Sequence, residues 1–434
     1  MNQQLLIKSF HTIKWSITCG LLVMTSCGTP ESNLLTITNP MQEPRPDELV
    51  VVKRSDLQQQ LGNIANGQYV LVSNADKRPL VVQYDDLDKD GNWDELAFLY
   101  SLEGDEKASL TLSIANAPAA VKAVVLAHVR HKRKNADNTF GDDLPKDSIP
   151  AGQPATDFTK QALPPFLTDG PAWENNKVGF RIYFDVRNGK DIWGKTTSRM
   201  VMDEVGVDTA KNYHQQADWG MDILKVGASL GAGSLAMYVP DTNNKDSLVR
   251  LGGKNIEQTT YEKIADGPVR AILRLHYKGW KVSDALPPVD LTEEISIWGG
   301  QYCYESKVTV ANAPANARLV TGIVNLHSRH SLQFDVKGCH ILYTHDVQSE
   351  NKDNLGMAIL IKDNYAGTFG ETPNVATDVQ NTYTVVIPVT NNQPISYRFY
   401  AGWERSNPRF ATPQGFKKYL QIEALKYANP LIRK

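Results

Sequence analysis

The sequence predicts a mostly β protein: a large, supersandwich-like β-sandwich, a small N-terminal β unit and a C-terminal helix. Three observations carry this expectation. From residue 46 onward, short runs of alternating apolar and polar residues recur every 8 to 15 residues, the spacing of sandwich and barrel strands. Turn clusters such as "NADKRP", "DKDGN" and "TNNQP" separate the runs. Helical periodicity is sparse. It is firm only in "PQGFKKYLQIEALKYA" and weaker in "SDLQQQLG" and "FTKQALPPFL".

The chain starts with "MNQQLLIKSFHTIKWSITCGLLVMTSC". Lys8 and Lys14 precede a short apolar run from Ile17 to Met24 that is too short to span a bilayer, so residues 1–26 read as a signal peptide. "VMTSC" resembles a bacterial lipobox with Cys27 as the lipidated residue, an ordinary cleaved secretion signal being the alternative. The expected location is the cell envelope, anchored to the outer membrane at its surface or periplasmic face. Residues 27–45, rich in Pro, Ser, Thr and Asn, read as a tether. Residues 46–135 form the expected N-terminal unit, and residues 136–434 the large sandwich.

An apolar content of 41 % and a charged content of 22 % are ordinary globular values. The net charge of −2 argues against a nucleic-acid partner. Beyond Cys27 and Cys19, only Cys303 and Cys339 remain, enough for one disulfide but not for a disulfide framework.

The stretch "DDLDKDGNWDE" packs six carboxylates into eleven residues. Asp86, Asp88, Asp90, the carbonyl of Asn92 and Asp94 occupy alternate positions of a calcium loop, with Gly91 at its sharp turn. Ala97 stands where an EF-hand has its last glutamate, so the expectation is a calcium-binding hairpin loop with a structural role. A solvated Asp-Gly turn is the alternative. No organic cofactor site is visible.

Chemically able residues concentrate between 173 and 233. In "VGFRIYF", alternation puts Arg181 and Tyr183 on the face opposite Phe180 and Ile182. "NYHQQADWGMDILK" adds Tyr213, His214, Trp219 and Lys225. Tyr213 and His214 are neighbours, so they face one side only if the chain bends there. "RAILRLHY" places Arg270, Arg274 and His276 on one strand face, and "VNLHSRH" supplies His327. A β surface bearing Arg, His, Tyr and Trp suits an anionic sugar, because rings stack on pyranose faces and arginines bind oxyanions. The i, i+3 histidines of "HVRH" and "HSRH" fall on opposite faces of a regular strand, so a shared metal site would require the backbone to bend there. There is no phosphate loop and no GxSxG elbow.

"PAWENNKVGFRIYFDVRNGKDIWGK", "YHQQADWGMDILKVGASLGAG" and "DDLDKDGNWDEL" resemble the signatures of a family known only as a domain of unknown function. Its members are secreted or lipid-anchored proteins encoded among polysaccharide-utilisation genes. One member type, similar in size and anchoring, is the ulvan-oligosaccharide dehydratase. The resemblance therefore implies a lyase that eliminates water from the non-reducing-end uronic acid of an anionic oligosaccharide. For that chemistry the residues suggest Arg181 to neutralise the carboxylate, with Asn175 or Asn176 as amide donors. His214 and Tyr213 would divide the base and acid roles, with His327 in reserve. Trp219 and Lys225 would bind substrate. A non-catalytic surface glycan-binding protein and a polysaccharide lyase are the other readings.

Overall fold

The computed structural model describes residues 33–240, 246–372 and 377–434. Cys27 and the expected signal peptide lie outside the described residues. The molecule is built from two antiparallel β-sandwiches in series. In the first, a four-stranded sheet (432–433, 34–38, 107–115 and 69–73, in spatial order) faces a three-stranded sheet (45–53, 95–102 and 83–85). Alternation in "SLTLSIA" turns Leu110 and Leu112 inward beside Leu35, Ile37, Val70 and Val72, and Val50, Val52, Leu96 and Phe98 close the core from the other sheet. The short helix Arg54–Leu61 adds Leu57 to this core. Residues Leu34–Thr38, expected in a tether, are thus a paired strand, because Leu35 and Ile37 gain a core to bury in.

The second sandwich has a nine-stranded sheet. Its spatial order is 332–336, 339–347, 354–362, 395–403, 303–311, 289–298, 270–280, 258–266 and 146–150. Two five-stranded sheets pack on one face of it through a shared core that includes Phe180, Ile192, Leu235, Ile323, Ile359 and Phe399. The helix Pro413–Ala428 covers the other face. Thr412 caps it by accepting the Gly415 amide at 3.1 Å, and Pro413 opens its first turn. Leu355, Met357 and Ile359 therefore point into the sandwich, while Ala358 and Leu360 pack under the helix, which is why "LGMAILI" is apolar throughout rather than alternating. Gly356 and Gly402 are register partners, and the Phe416 ring lies over both; a Cβ at Gly402 would stand 2.7 Å from that ring.

"FTKQALPPFL" forms turns rather than a helix, since Pro164 and Pro165 supply no amide donors. The strand Ala127–Arg130, placed by sequence in the first unit, pairs with Ala172–Asn175 in the second. Cys303 and Cys339 are free and buried beneath the helix, and burial pushes both thiols up to about 12.

Arg270 joins the two sandwiches. It lies 2.7 Å from Asp85 and 2.8 Å from Glu95, and Gln83 accepts the amides of Val269 and Arg270. Arg274 pairs with Glu294 at 2.8 Å, and His276 lies 3.6 Å from Glu262. The cations of this strand face are compensated by the protein's own carboxylates. His128 and His131 likewise serve separate carboxylates: Asp203 and Asp266 for the first, Asp147 for the second.

Candidate active site

The strand Val178–Ile182 pairs with Lys190–Lys195 so that Arg181 stands opposite Asp191. Phe180 and Ile182 fill the core, and Arg181 occupies the outer face, as alternation requires. That face is not open. Residues 196–219 fold back over it, with Trp193 stacking on Tyr213 and packing against Trp219 at centroid distances of 5.4 and 5.6 Å. The buried Lys195–Glu174 ion pair anchors this loop, because the second Glu174 oxygen accepts the amides of Val201 and Met202 at 2.6 and 2.7 Å. Arg130 holds the loop to its neighbour by donating to the carbonyls of Met202 and Leu167.

Arg181 is fully engaged. Its Nη2 donates to Asp222 at 2.6 Å, Asp191 at 2.8 Å and the Tyr183 hydroxyl at 3.1 Å. Its Nη1 donates to the Thr168 carbonyl at 3.2 Å and the Tyr213 hydroxyl at 3.4 Å. Tyr183 in turn donates to Asp191 at 2.9 Å. Burial opposes charge on Arg181, but Tyr183, Asp222 and Asp191 hold its pKa well above the ordinary value. Thr168 and Asp169 have φ values of 51° and 63°, a conformation non-glycine residues seldom adopt, and it aims the Thr168 carbonyl at the guanidinium. The expectation that Arg181 binds a substrate carboxylate is corrected here, since its donors are committed to internal acceptors.

His214 stands at the exposed edge of this network. A turn closed by Asn212, whose side chain accepts the His214 amide at 3.0 Å, supplies the bend that Tyr213 and His214 need to share a side. Their ring centroids are 4.5 Å apart. His214 Nδ1 lies 3.3 Å from Asp222 Oδ2, the oxygen that also receives Arg181. Among the described residues Nε2 has no partner. Burial and the Arg181 charge lower the imidazole's pKa, so His214 is neutral at pH 7. Burial and the adjacent Asp191 push Asp222 well up. Burial also raises Tyr213, partly offset by Arg181, so the phenol keeps its proton. A histidine oriented by a buried carboxyl, beside a protonated phenol, is an acid–base pair in form.

Tyr213 and Trp219 line a groove of about 500 Å³ together with Arg199 and Lys211. His327 reaches the same region through Glu350. That carboxylate lies 3.7 Å from His327 Nε2, its amide donates to the Ile223 carbonyl, and it acts electrostatically on both His214 and Asp222. Lys225 is exposed and makes no ion pair among the described residues. Asn175 and Asn176 are corrected too. Asn175 is buried, donates to the carbonyls of Trp298 and Gln301, and accepts the amides of Lys177 and Val178. Asn176 accepts the Gly300 amide at 2.8 Å. Both are turn clasps. Asp191, Asp222 and Glu350 escaped sequence reasoning. Only the alternation in "GKDIWGK" and "GMDIL", which sets each Asp beside core residues, hinted at two of them.

In the acidic loop, which joins the paired strands Gln83–Asp85 and Glu95–Leu102, the carboxylates of Asp86, Asp88 and Asp94 converge. One oxygen of each lies within 4.8 Å of the others. Such a hard-oxygen set fits calcium. Asp90 is outside this convergence; its Oδ1 accepts the Asn92 amide at 2.7 Å. Gly91, at φ 91°, supplies the sharp turn.

Fold and site together define a class: a double β-sandwich protein with a His–Asp dyad above an arginine–carboxylate network. The chain belongs to the family described as Domain of unknown function (DUF4861), whose profile matches residues 37–432. It is 24 % identical over 441 residues to "Uncharacterized protein P7" of Formosa agariphila, covering 97 % of this chain and 98 % of the relative. In fold it is similar to an alpha-mannosidase from Enterococcus faecalis V583, with a TM-score of 0.50 and 12 % identity over 93 % of this chain and 46 % of that one. A glycosyl hydrolase family 38 protein from Enterococcus faecalis gives a TM-score of 0.49 and 11 % identity, over 94 % of this chain and 48 % of that one. The chain spans about half the length of these two proteins, and the alpha-mannosidase likeness shows the fold alone. Among the described residues, no helix is long and apolar enough to cross a membrane.

Proposed function

We propose that the protein is a carbohydrate-active carbon–oxygen lyase that removes water from the non-reducing-end uronic acid of anionic oligosaccharides such as ulvan fragments. The observation that carries this reading is the neutral His214 with Nδ1 against buried Asp222, its ring beside that of the protonated Tyr213, which with Trp219 lines the adjoining groove. The alpha-mannosidase likeness supports a sugar as the ligand class. His214 Nε2 takes the C5 proton, which lies α to the uronate carboxylate. Asp222 orients the ring through Nδ1, the C4–O bond breaks, and Tyr213 protonates the leaving hydroxyl to give water and a 4,5-unsaturated uronate. With Arg181 committed internally, Arg199 and Lys211, which line the groove beside Glu204, Asp208 and Asp218, are the cations left for the substrate carboxylate. Their contacts to Asp218 (3.9 Å) and Asp208 (3.4 Å) are between exposed groups and exchange readily for a ligand.

Mass spectrometry of saturated uronate oligosaccharides after incubation tests this. Loss of one water with chain length kept is the expected result. Shorter chains would indicate a polysaccharide lyase instead, and unchanged substrate a glycan-binding protein.

The same reading includes calcium at Asp86, Asp88 and Asp94 in a structural role. A ligand that binds only the folded state stabilises it by mass action. Chelator should therefore lower the melting temperature by several degrees, and Asp86→Ala with Asp88→Ala should abolish the difference. An identical melting curve with and without chelator would leave only the solvated turn. Anchoring through Cys27 belongs to the proposal as well: Cys27→Ser should move the protein from the membrane fraction to the soluble one, and a variant still sedimenting with membranes would refute it.

A further inference from the structure

A second cavity, of about 330 Å³, lies between the two sandwiches and the C-terminal helix and shares no lining residue with the groove at Tyr213 and Trp219. Four cations line it, Lys362, Arg398, Lys426 and Arg433, against two carboxylates, Glu48 and Glu305. The surplus is two positive charges, and it survives when neighbours are counted. Glu48 is matched by Arg45 at 3.3 Å, and Lys426 by Glu423 at 2.9 Å. Among the described residues, Glu305 takes only Arg398 Nε, at 2.9 Å.

What is left over points to a ligand. Among the described residues, Lys362 and Arg433 make no ion pair, and the two terminal nitrogens of Arg398 make no hydrogen bond. Arg398 is nonetheless fixed. Its guanidinium sits 4.4 Å from the Tyr427 ring centroid and 5.0 Å from that of Trp298, while Lys362 Nζ is 4.6 Å from Tyr427. A planar fork already immobilised by rings and one carboxylate loses little freedom when it binds an oxyanion.

We propose that this cavity binds a tetrahedral divalent oxyanion, sulfate or phosphate, free or as an ester on a small molecule. Two negative charges match the surplus, and four oxygens suit the Arg398 fork together with two ammonium-type or guanidinium donors. A monovalent carboxylate leaves half the surplus uncompensated. The volume is at the lower end of small-molecule sites and leaves room for a substituent on the anion.

Calorimetric titration of the whole protein at low ionic strength tests this, with sodium sulfate, sodium phosphate, glucose 6-sulfate, sodium acetate and glucose as probes. Saturable binding of sulfate or phosphate is expected, with acetate at least tenfold weaker and glucose silent. Binding of glucose 6-sulfate at least as tight as sulfate identifies an ester as the ligand; binding of the inorganic ions alone identifies the free anion. Lys362→Gln combined with Arg433→Gln, a half-buried and an exposed position, should keep the fold and weaken the oxyanion at least tenfold. Wild-type protein that gives no saturable heat with sulfate or phosphate overturns the proposal. So does a double variant that binds as the wild type does.

Discussion

Replacing His214 with alanine should lower the turnover of uronate elimination by about 10²-fold or more, the usual contribution of a positioned acid or base. The loss should appear in kcat rather than KM, because the imidazole acts on the C5 proton and not on the bound ground state. The pH profile gives an independent check. Burial and Arg181 lower the His214 pKa from the ordinary 6.5, and only the neutral ring can accept a proton. Activity should therefore rise with pH through a limb below 6.5 and then stay level, since Tyr213 holds its proton above the ordinary phenol value of 10.0. Asp222→Asn should move that acid limb, because Asp222 faces Nδ1. Near-full turnover in His214→Ala would sink the assignment and make His327, with Glu350 beside it, the first residue to examine.

The second large effect is on stability. Arg181→Met should destabilise the protein by roughly 3–5 kcal/mol, because it strands Asp191 and Asp222 in a buried site without their counter-ion. Arg181→Lys should recover only part, since a single ammonium cannot serve Asp191, Asp222, Tyr183, Tyr213 and the Thr168 carbonyl together. Adding Asp222→Asn to Arg181→Met should also restore part of the loss by removing one orphaned charge. Chemical denaturation measures all three. A loss under about 1 kcal/mol for Arg181→Met would mean the network is not held by its central charge.

Local features of this architecture are legible in the sequence, and non-local ones are not. Alternation in "VGFRIYF" places Arg181 and Tyr183 on one face, and the Asp spacing with Gly91 places three converging carboxylates, because both patterns act within a few residues. The carboxylates that accept from Arg181 come from a neighbouring strand and from the segment after residue 219. No sequence period links position 181 to 191 and 222, so a buried guanidinium reads as a free one. Asn175 misleads in the same way: an amide near a cluster of polar residues looks like a ligand donor until the carbonyls of Trp298 and Gln301, more than a hundred residues away, claim it. The joint between sandwiches is hidden for the same reason, since Arg270 finds Asp85 and Glu95 only once the chain has folded.

The trough formed by Gly356 and Gly402 under Phe416 constrains how the C-terminal helix can leave its sheet. A helix resting on a smooth apolar sheet can slide along its axis or roll at small energetic cost. A ring seated between strands where no side chain intervenes removes both freedoms by shape alone, with no directional bond. The helix therefore cannot peel away by degrees: leaving the sheet means lifting Phe416 out and uncovering Tyr343, Ala358, Leu360 and Tyr400 in one event. Melting of the helix and of the sheet beneath it is coupled, and a far-ultraviolet helical signal and a tyrosine-burial signal should trace one common transition.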